Sequence, residues 1–232
     1  MASRPWCGQA ADRHRPPGAG SPRRSVYSSV LKRGLDIVGA VVLLVLCAPL
    51  AAAVATAVVM VLGFPVFHRE QRAGRGGRPI TIVKFRSMTL DRDTDGALLA
   101  DEARLGWFGK LLRRTSLDEL PQLAAVITGD LSLVGPRPLP MRYLPRYSPR
   151  QATRLLVRPG LTGWAQVHGR NQVDWPGRLE LDARYVEMSS RWYAPLIDGW
   201  IVLLTVFQVI RQALTGKGVA AEGHASMPEF FP

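Results

Sequence analysis

The sequence predicts a helix-dominant mixed α/β domain that is membrane-associated through an N-terminal re-entrant helix hairpin. Three observations point there. The stretch from Leu35 to Leu62 is apolar, carries no charge after Asp36, and exceeds the roughly 20 residues a helix needs to cross a hydrocarbon core. Pro49, in Cys47-Ala48-Pro49, stands in the middle of that stretch and removes a helix hydrogen bond there. Downstream, one short β-type run, Ile80-Thr81-Ile82-Val83, sits among segments of helical periodicity at Ala97 to Leu112 and Arg178 to Met188.

The hairpin rests on flank charge. A spanning helix carries Lys and Arg mainly on one side, whereas here Arg23, Arg24, Lys32 and Arg33 precede the run and His68, Arg69, Arg72, Arg75 and Arg78 follow it. Both flanks read as cytoplasmic, and a helix that enters one leaflet, breaks at Ala48-Pro49 and returns satisfies both. A single span kinked at Pro49 is the alternative, because membrane helices tolerate Pro where neighbours satisfy the freed backbone. A secretory signal fits poorly, since the run is long and lies behind some thirty basic, Pro-rich residues.

The other elements follow in order. Residues 1–30 are rich in Arg, Pro, Gly and Ser and poor in large apolar side chains, which predicts a disordered basic tail. Residues 31–66 form the hairpin and 67–215 the cytoplasmic domain, enough chain for its own core. Within it Ile197 to Ile210 is a second apolar run, too short to span and interrupted by Asp198; with Trp192, Tyr193 and Trp200 beside it, it reads as an interfacial helix lying flat, or as a core helix. Residues 216–232 read as a flexible tail. The net charge of +12 over 232 residues points to anionic lipid, phosphorylated substrates or nucleic acid. Helix-turn-helix, zinc-finger and aromatic RNA-binding patterns are missing, so no nucleic acid is expected. Cys7 and Cys47 make no disulfide or metal pattern.

The chemistry concentrates in Thr115-Ser116-Leu117-Asp118-Glu119-Leu120-Pro121-Gln122-Leu123, behind Arg113 and Arg114. Pro121 suits a first helical turn, and Gln122 to Thr128 continues as helix until Gly129. Adjacent carboxylates at a helix start, beside two arginines, are expected to have lowered pKa values and to serve as nucleophile or metal ligand. The plainer alternative is a capping box between Ser116 and Glu119. Three further motifs supply cations: Lys84-Phe85-Arg86, whose alternation puts both charges on one strand face; Gly135-Pro136-Arg137-Pro138, where two prolines pre-set the backbone around Arg137; and Arg158-Pro159-Gly160, which opens a Gly-rich loop ending at Val167.

From Lys32 to Thr205 this ordered set resembles the bacterial polyprenyl-phosphate phosphoglycosyl transferases of the small monotopic type, the bacterial sugar transferases. The shared features are Lys32-Arg33 with Asp36, the Pro-broken hairpin, Lys84 to Met88, Thr115 to Leu123, Gly129 to Pro138, Arg158 to Val167, Leu181-Asp182 and Tyr185-Val186. The resemblance implies transfer of a sugar 1-phosphate from a UDP-sugar to undecaprenyl phosphate, at the cytoplasmic leaflet of the bacterial inner membrane. It implies that Asp118 attacks the sugar-bearing phosphorus to give a covalent aspartyl phosphosugar, and that Glu119 binds Mg²⁺. Lys84, Arg86, Arg113, Arg137 and Arg158 become phosphate-binding candidates, and Lys32, Arg33 and Asp36 hold the hairpin, with Lys32 and Arg33 at the headgroups and Asp36 pairing locally. The chain departs from the pattern at Ala48, where many relatives carry Ser, and between Tyr185 and Asp198, where it is about four residues longer. The donor sugar and oligomeric state stay open, a homo-oligomer included. A membrane-tethered basic scaffold without chemistry is the alternative function.

Overall fold

In the computed structural model, which describes residues 30–168, 173–215 and 230, helix dominates. The expected disordered tail lies outside the described residues apart from Val30. The chain opens with the 31-residue helix α1 (Lys32–Leu62), ended by Gly63 at φ 75°. Pro49 lies inside it, so the expected break at Ala48-Pro49 does not divide the segment into two helices. One missing hydrogen bond does not interrupt a helix that long apolar runs extend on both sides.

Strands β1 (Phe67–Ala73) and β2 (Pro79–Phe85) form an antiparallel hairpin with His68 opposite Lys84, and the expected strand at Ile80–Val83 lies within β2. The single helix expected over Ala97 to Leu112 is instead a turn, Asp101–Arg104, and helix α2 (Trp107–Thr115). Leu105 and Gly106 leave helical geometry between them. Tertiary packing sets α2's position: Gly109 presses against Ser87, whose carbonyl oxygen would stand 1.8 Å from a Cβ there. Helix α3 (Gln122–Thr128) has the expected bounds and ends at Gly129, φ 100°, with Pro121 just outside its first turn. Strands β3 (Ser132–Val134) and β4 (Gly160–Thr162) pair in parallel, and helices α4 (Trp175–Ser189) and α5 (Ala194–Thr215) complete the described chain.

Both halves of α1 pack on this body. Ala40 joins Ile82, Leu123, Val126 and Leu131. Val54 and Val58 join Phe85, Phe108 and Leu112. Between them the helix is largely exposed and apolar, from Val41 to Leu50. Polar contacts fasten its two ends. Lys32 Nζ lies 2.6 Å from Asp198 Oδ2, and Arg33 donates to the carbonyls of Val126 (2.6 Å) and Ile127 (2.8 Å), the last turn of α3. Buried Asp36 accepts from Ser132 Oγ (2.8 Å) and Leu133 N (3.0 Å). Asp36 therefore ties α1 to β3 rather than pairing only locally, and Lys32 and Arg33 are committed to protein rather than presented to headgroups. At the other end Arg86 donates to the carbonyls of Leu62, Gly63 (2.5 Å) and Phe64 (3.3 Å), satisfying groups that a helix end leaves open.

Helix α5 is longer than its apolar run. Its 22 residues are enough by length to cross a membrane, which corrects the expectation that this segment is too short. One face is nevertheless packed along the whole helix: Ala194, Asp198, Ile201 and Gln212 are buried, Thr205 Oγ1 meets Thr162 Oγ1 at 2.6 Å, and Gln208 donates to the Val167 carbonyl. The opposite face exposes Leu196, Trp200, Leu203, Phe207 and Ile210. The expected flexible tail over 216–232 lies outside the described residues except Phe230, which is not loose. Its ring is 1% exposed among Tyr143, Tyr147 and Trp175, a socket that composition gives no means of foreseeing.

Replacing Asp36 by Ala leaves Ser132 and the Leu133 N–H without their buried acceptor, which costs on the order of 2 kcal/mol. Asp36→Ala should lower the thermal unfolding midpoint in detergent; an unchanged midpoint would remove Asp36 from the attachment of α1.

Candidate active site

The dyad forms because the chain turns sharply between two helices. Ser116 closes α2 in the left-handed region (φ 56°, ψ 18°), and Leu117–Glu119 make a single 3-10 turn before Pro121 starts α3. Ser116 is the one described residue other than glycine with positive φ, a conformation that costs about 1–2 kcal/mol and recurs at functional sites. Its side chain makes no cap, so the capping-box alternative is not what holds Glu119.

Glu119 is held by cations instead. Its Oε1 accepts from Lys84 Nζ at 3.0 Å, arriving from the end of β2, and from Arg137 Nη2 at 2.6 Å, arriving from the loop after β3. Asp118, only 7% exposed, accepts no hydrogen bond among the described residues. Lys84, Arg113 and Arg137 act on it through charge alone, while Arg113 Nε bonds Ser87 Oγ at 3.0 Å.

The two carboxylates consequently titrate apart. Burial raises the Asp118 pKa, the charge of Glu119 adds to that, and the three cations offset only part of it, leaving the group at about 6. For Glu119 burial pushes upward as well, but Arg137 and Lys84 outweigh it and hold the carboxyl well below the usual range. The expectation that both values fall is thus correct for Glu119 and wrong for Asp118. Sequence proximity to arginines does not say which carboxylate receives them.

Of the candidates, Asp118, Glu119, Lys84, Arg113 and Arg137 come together. Arg86 does not. Although it shares the strand alternation with Lys84, it leaves β2 past Phe85 and turns to the end of α1. Arg158 is also elsewhere, its Nε donating to the Gly129 carbonyl at 3.1 Å. One residue the sequence does not single out supports the site. Arg154, 4% exposed, bonds Asp182 through Nε (3.1 Å), the Tyr147 hydroxyl (3.0 Å) and the Arg137 carbonyl (2.5 Å), so it braces the backbone that aims Arg137. As one of several arginines it reads as a solvated charge; the only sequence hint is Asp182 on the inward side of an amphipathic helix.

No group of three or more metal-ligating side chains occurs among the described residues. Mg²⁺ does not require one, since it is commonly held by one or two carboxylates and substrate phosphates. Lys84 and Arg137 both occupy Oε1 of Glu119, which leaves its Oε2 and the Asp118 carboxylate as oxygen ligands of the right kind.

The bacterial sugar transferase family matches residues 27–212 of the chain. The chain belongs to that family. It is 44% identical over 201 residues to an uncharacterized sugar transferase, EpsL, of Bacillus subtilis, covering 87% of this chain and 96% of that one. A UDP-glucose:undecaprenyl-phosphate glucose-1-phosphate transferase of Caulobacter vibrioides is 40% identical over 200 residues, with 82% and 73% coverage. A UDP-N-acetylgalactosamine-undecaprenyl-phosphate N-acetylgalactosaminephosphotransferase of Aeromonas hydrophila is 37% identical, covering 86% of this chain but 47% of its own length. This sugar transferase thus spans nearly all of the first relative and about half of the last.

The titration of Asp118 has a signed consequence for stability. A carboxyl whose pKa is higher folded than unfolded favours the fold below the unfolded value, 3.8, and loses that contribution as pH rises through about 6. Asp118→Asn should therefore melt higher than the parent at pH 8, by on the order of 3 kcal/mol at most, with the difference vanishing near pH 4. Equal melting of the two proteins at pH 8 would mean that the dyad is not under this strain.

Proposed function

We propose that this sugar transferase moves a sugar 1-phosphate from a UDP-sugar to undecaprenyl phosphate through a covalent phosphosugar on Asp118. The observation that carries the reading is the unequal dyad: a buried carboxylate with no hydrogen bond, ringed by three cations, next to a carboxylate whose charge is already matched. A group used only for structure would be bonded, and a purely anion-binding scaffold gains nothing from two carboxylates among its cations. The relatives' named donors, glucose and N-acetylgalactosamine, agree on a UDP-sugar and differ in the sugar.

At neutral pH a carboxyl with a pKa of about 6 is mostly ionised, yet it stays basic enough to form a bond. An Asp118 oxygen attacks the sugar-bearing phosphorus, the bridging P–O bond breaks, and its electron pair leaves on the nucleoside monophosphate. A phosphate oxygen of the lipid then attacks the same phosphorus and returns the carboxylate. Arg137, Lys84 and Arg113 offset the charge of the diphosphate and of the leaving group. Glu119 and Asp118 would hold Mg²⁺, which supplies further neutralisation of phosphate oxygens when bound.

The lipid acceptor calls for a site at a membrane surface, and the anchor has features that suit a re-entrant α1 at the cytoplasmic face. Ala40 and Val54 lie roughly 21 Å apart on a straight helix. Their partners Ile82 and Phe85 are only about 10 Å apart along β2, and Leu120 packs against both clusters. A helix bent near Pro49 reconciles the two spans, and leaves the exposed run from Val41 to Leu50 in lipid with the open face of α5 at the interface.

Two measurements test these readings. Protein in detergent with Mg²⁺ and a panel of UDP-sugars, without lipid, should gain one sugar-phosphate in intact mass and release UMP, and Asp118→Asn should do neither. Release of UDP would instead indicate transfer of the sugar alone, and neither adduct nor UMP with lipid also present would favour the scaffold. For topology, single cysteines replacing Val30 and Phe64, with Cys7 and Cys47 removed, should both be labelled from the cytoplasmic side; labelling from opposite sides would make α1 a span.

A further inference from the structure

A cavity of about 190 Å³ lies where the first turn of α1 meets the tip of the β1–β2 hairpin and the end of α4. Lys32, Arg33, Arg75 and Arg158 line it, with Asp36 and Ser190. The lining cations are accompanied by one lining carboxylate, Asp36, while Asp198 pairs with Lys32. Lys32 and Arg33 are engaged with protein, as described above. Arg158 is different. Its only bond among the described residues runs from Nε to the Gly129 carbonyl, which fixes the guanidinium plane and leaves both terminal nitrogens without a protein partner. A guanidinium held in this way presents two parallel N–H donors, the geometry that oxyanions take.

The cavity is separate from the dyad. None of Asp118, Glu119, Lys84 and Arg137 lines it. Arg75 stands at the hairpin tip and Lys84 at the far end of β2, roughly 17–20 Å away along the strand. Its volume of about 190 Å³ has room for a phosphate group.

We infer that this cavity is a second phosphate site, taking a phosphate monoester or diester on the terminal nitrogens of Arg158. A soluble phosphate and a phospholipid headgroup share that chemistry. Two arms separate them. In maltoside detergent, inorganic phosphate is titrated into the full chain by calorimetry; in nanodiscs containing phosphatidic acid, native mass spectrometry reads the lipid that stays bound. Arg158→Gln should weaken binding about tenfold or more in at least one arm. Ser190→Asp should do the same by placing a negative charge on the wall while leaving the Arg158–Gly129 bond intact, so a folding defect in the first variant does not decide the matter. Loss in detergent assigns the site to soluble phosphate, and loss of retained phosphatidic acid assigns it to lipid. Ser190→Asp matching the parent in both arms overturns the inference. Neither readout requires turnover, so the outcome is independent of adduct formation at Asp118.

Discussion

Two neighbouring carboxylates in one turn repel each other, and the fold answers by giving both available hydrogen-bonding cations to one of them. Lys84 and Arg137 converge on a single oxygen of Glu119, and Asp118 is left buried with charge nearby but no bond. Much of the architecture serves that allocation. The β1–β2 hairpin carries Lys84 to the dyad, and the parallel β3–β4 pair fixes the loop that carries Arg137. Arg154, buried against Asp182, braces that loop from behind. Between α2 and α3, Ser116 accepts an uncomfortable backbone geometry so that the two acids emerge on a turn rather than inside a helix.

The same economy of charge governs the long first helix. Apolar packing holds Ala40 at 0% exposure and Val58 likewise, but the ends of α1 are located by Lys32, Arg33 and Asp36, each bonded to a different part of the body, and by Arg86 of the body, bonded to the carbonyls where the helix ends. Buried ion pairs and charge-assisted bonds are poor sources of net stability and good sources of register, because a misplaced helix would leave them unpaired. Lys32 and Asp36 lie one turn apart yet reach Asp198 and Ser132, which belong to different elements.

Local chemistry was the part that could be read in advance. Gln122 to Thr128 behaves as its composition requires, with Pro121 before it and Gly129 after it, and the strand around Ile80–Val83 and the helix around Arg178–Met188 follow their periodicity. The dyad and three of its cations stood in adjacent motifs. What could not be read in advance depended on long-range contacts. Arg86 looks equivalent to Lys84 by alternation until the end of α1 arrives beside it, and Arg158 is drawn to Gly129 by the β3–β4 pairing. The raised pKa of Asp118 comes from burial, a property of the assembled body that a string of arginines cannot report. Phe230 reaches its aromatic socket from a segment whose composition carries no helix or strand signal.

Lys84 and Arg86 are two residues apart, about 7 Å of extended chain, and one grips the turn that carries Asp118 and Glu119 while the other grips the end of the apolar helix. There is no slack in such a linkage. If α1 sits in lipid and Asp118 reacts, both as proposed, the depth of the helix end is carried to the two carboxylates by a single stiff strut, without a linker over which to average. The bilayer then acts as a gauge block, and its thickness and lateral pressure become variables of the reaction coordinate itself.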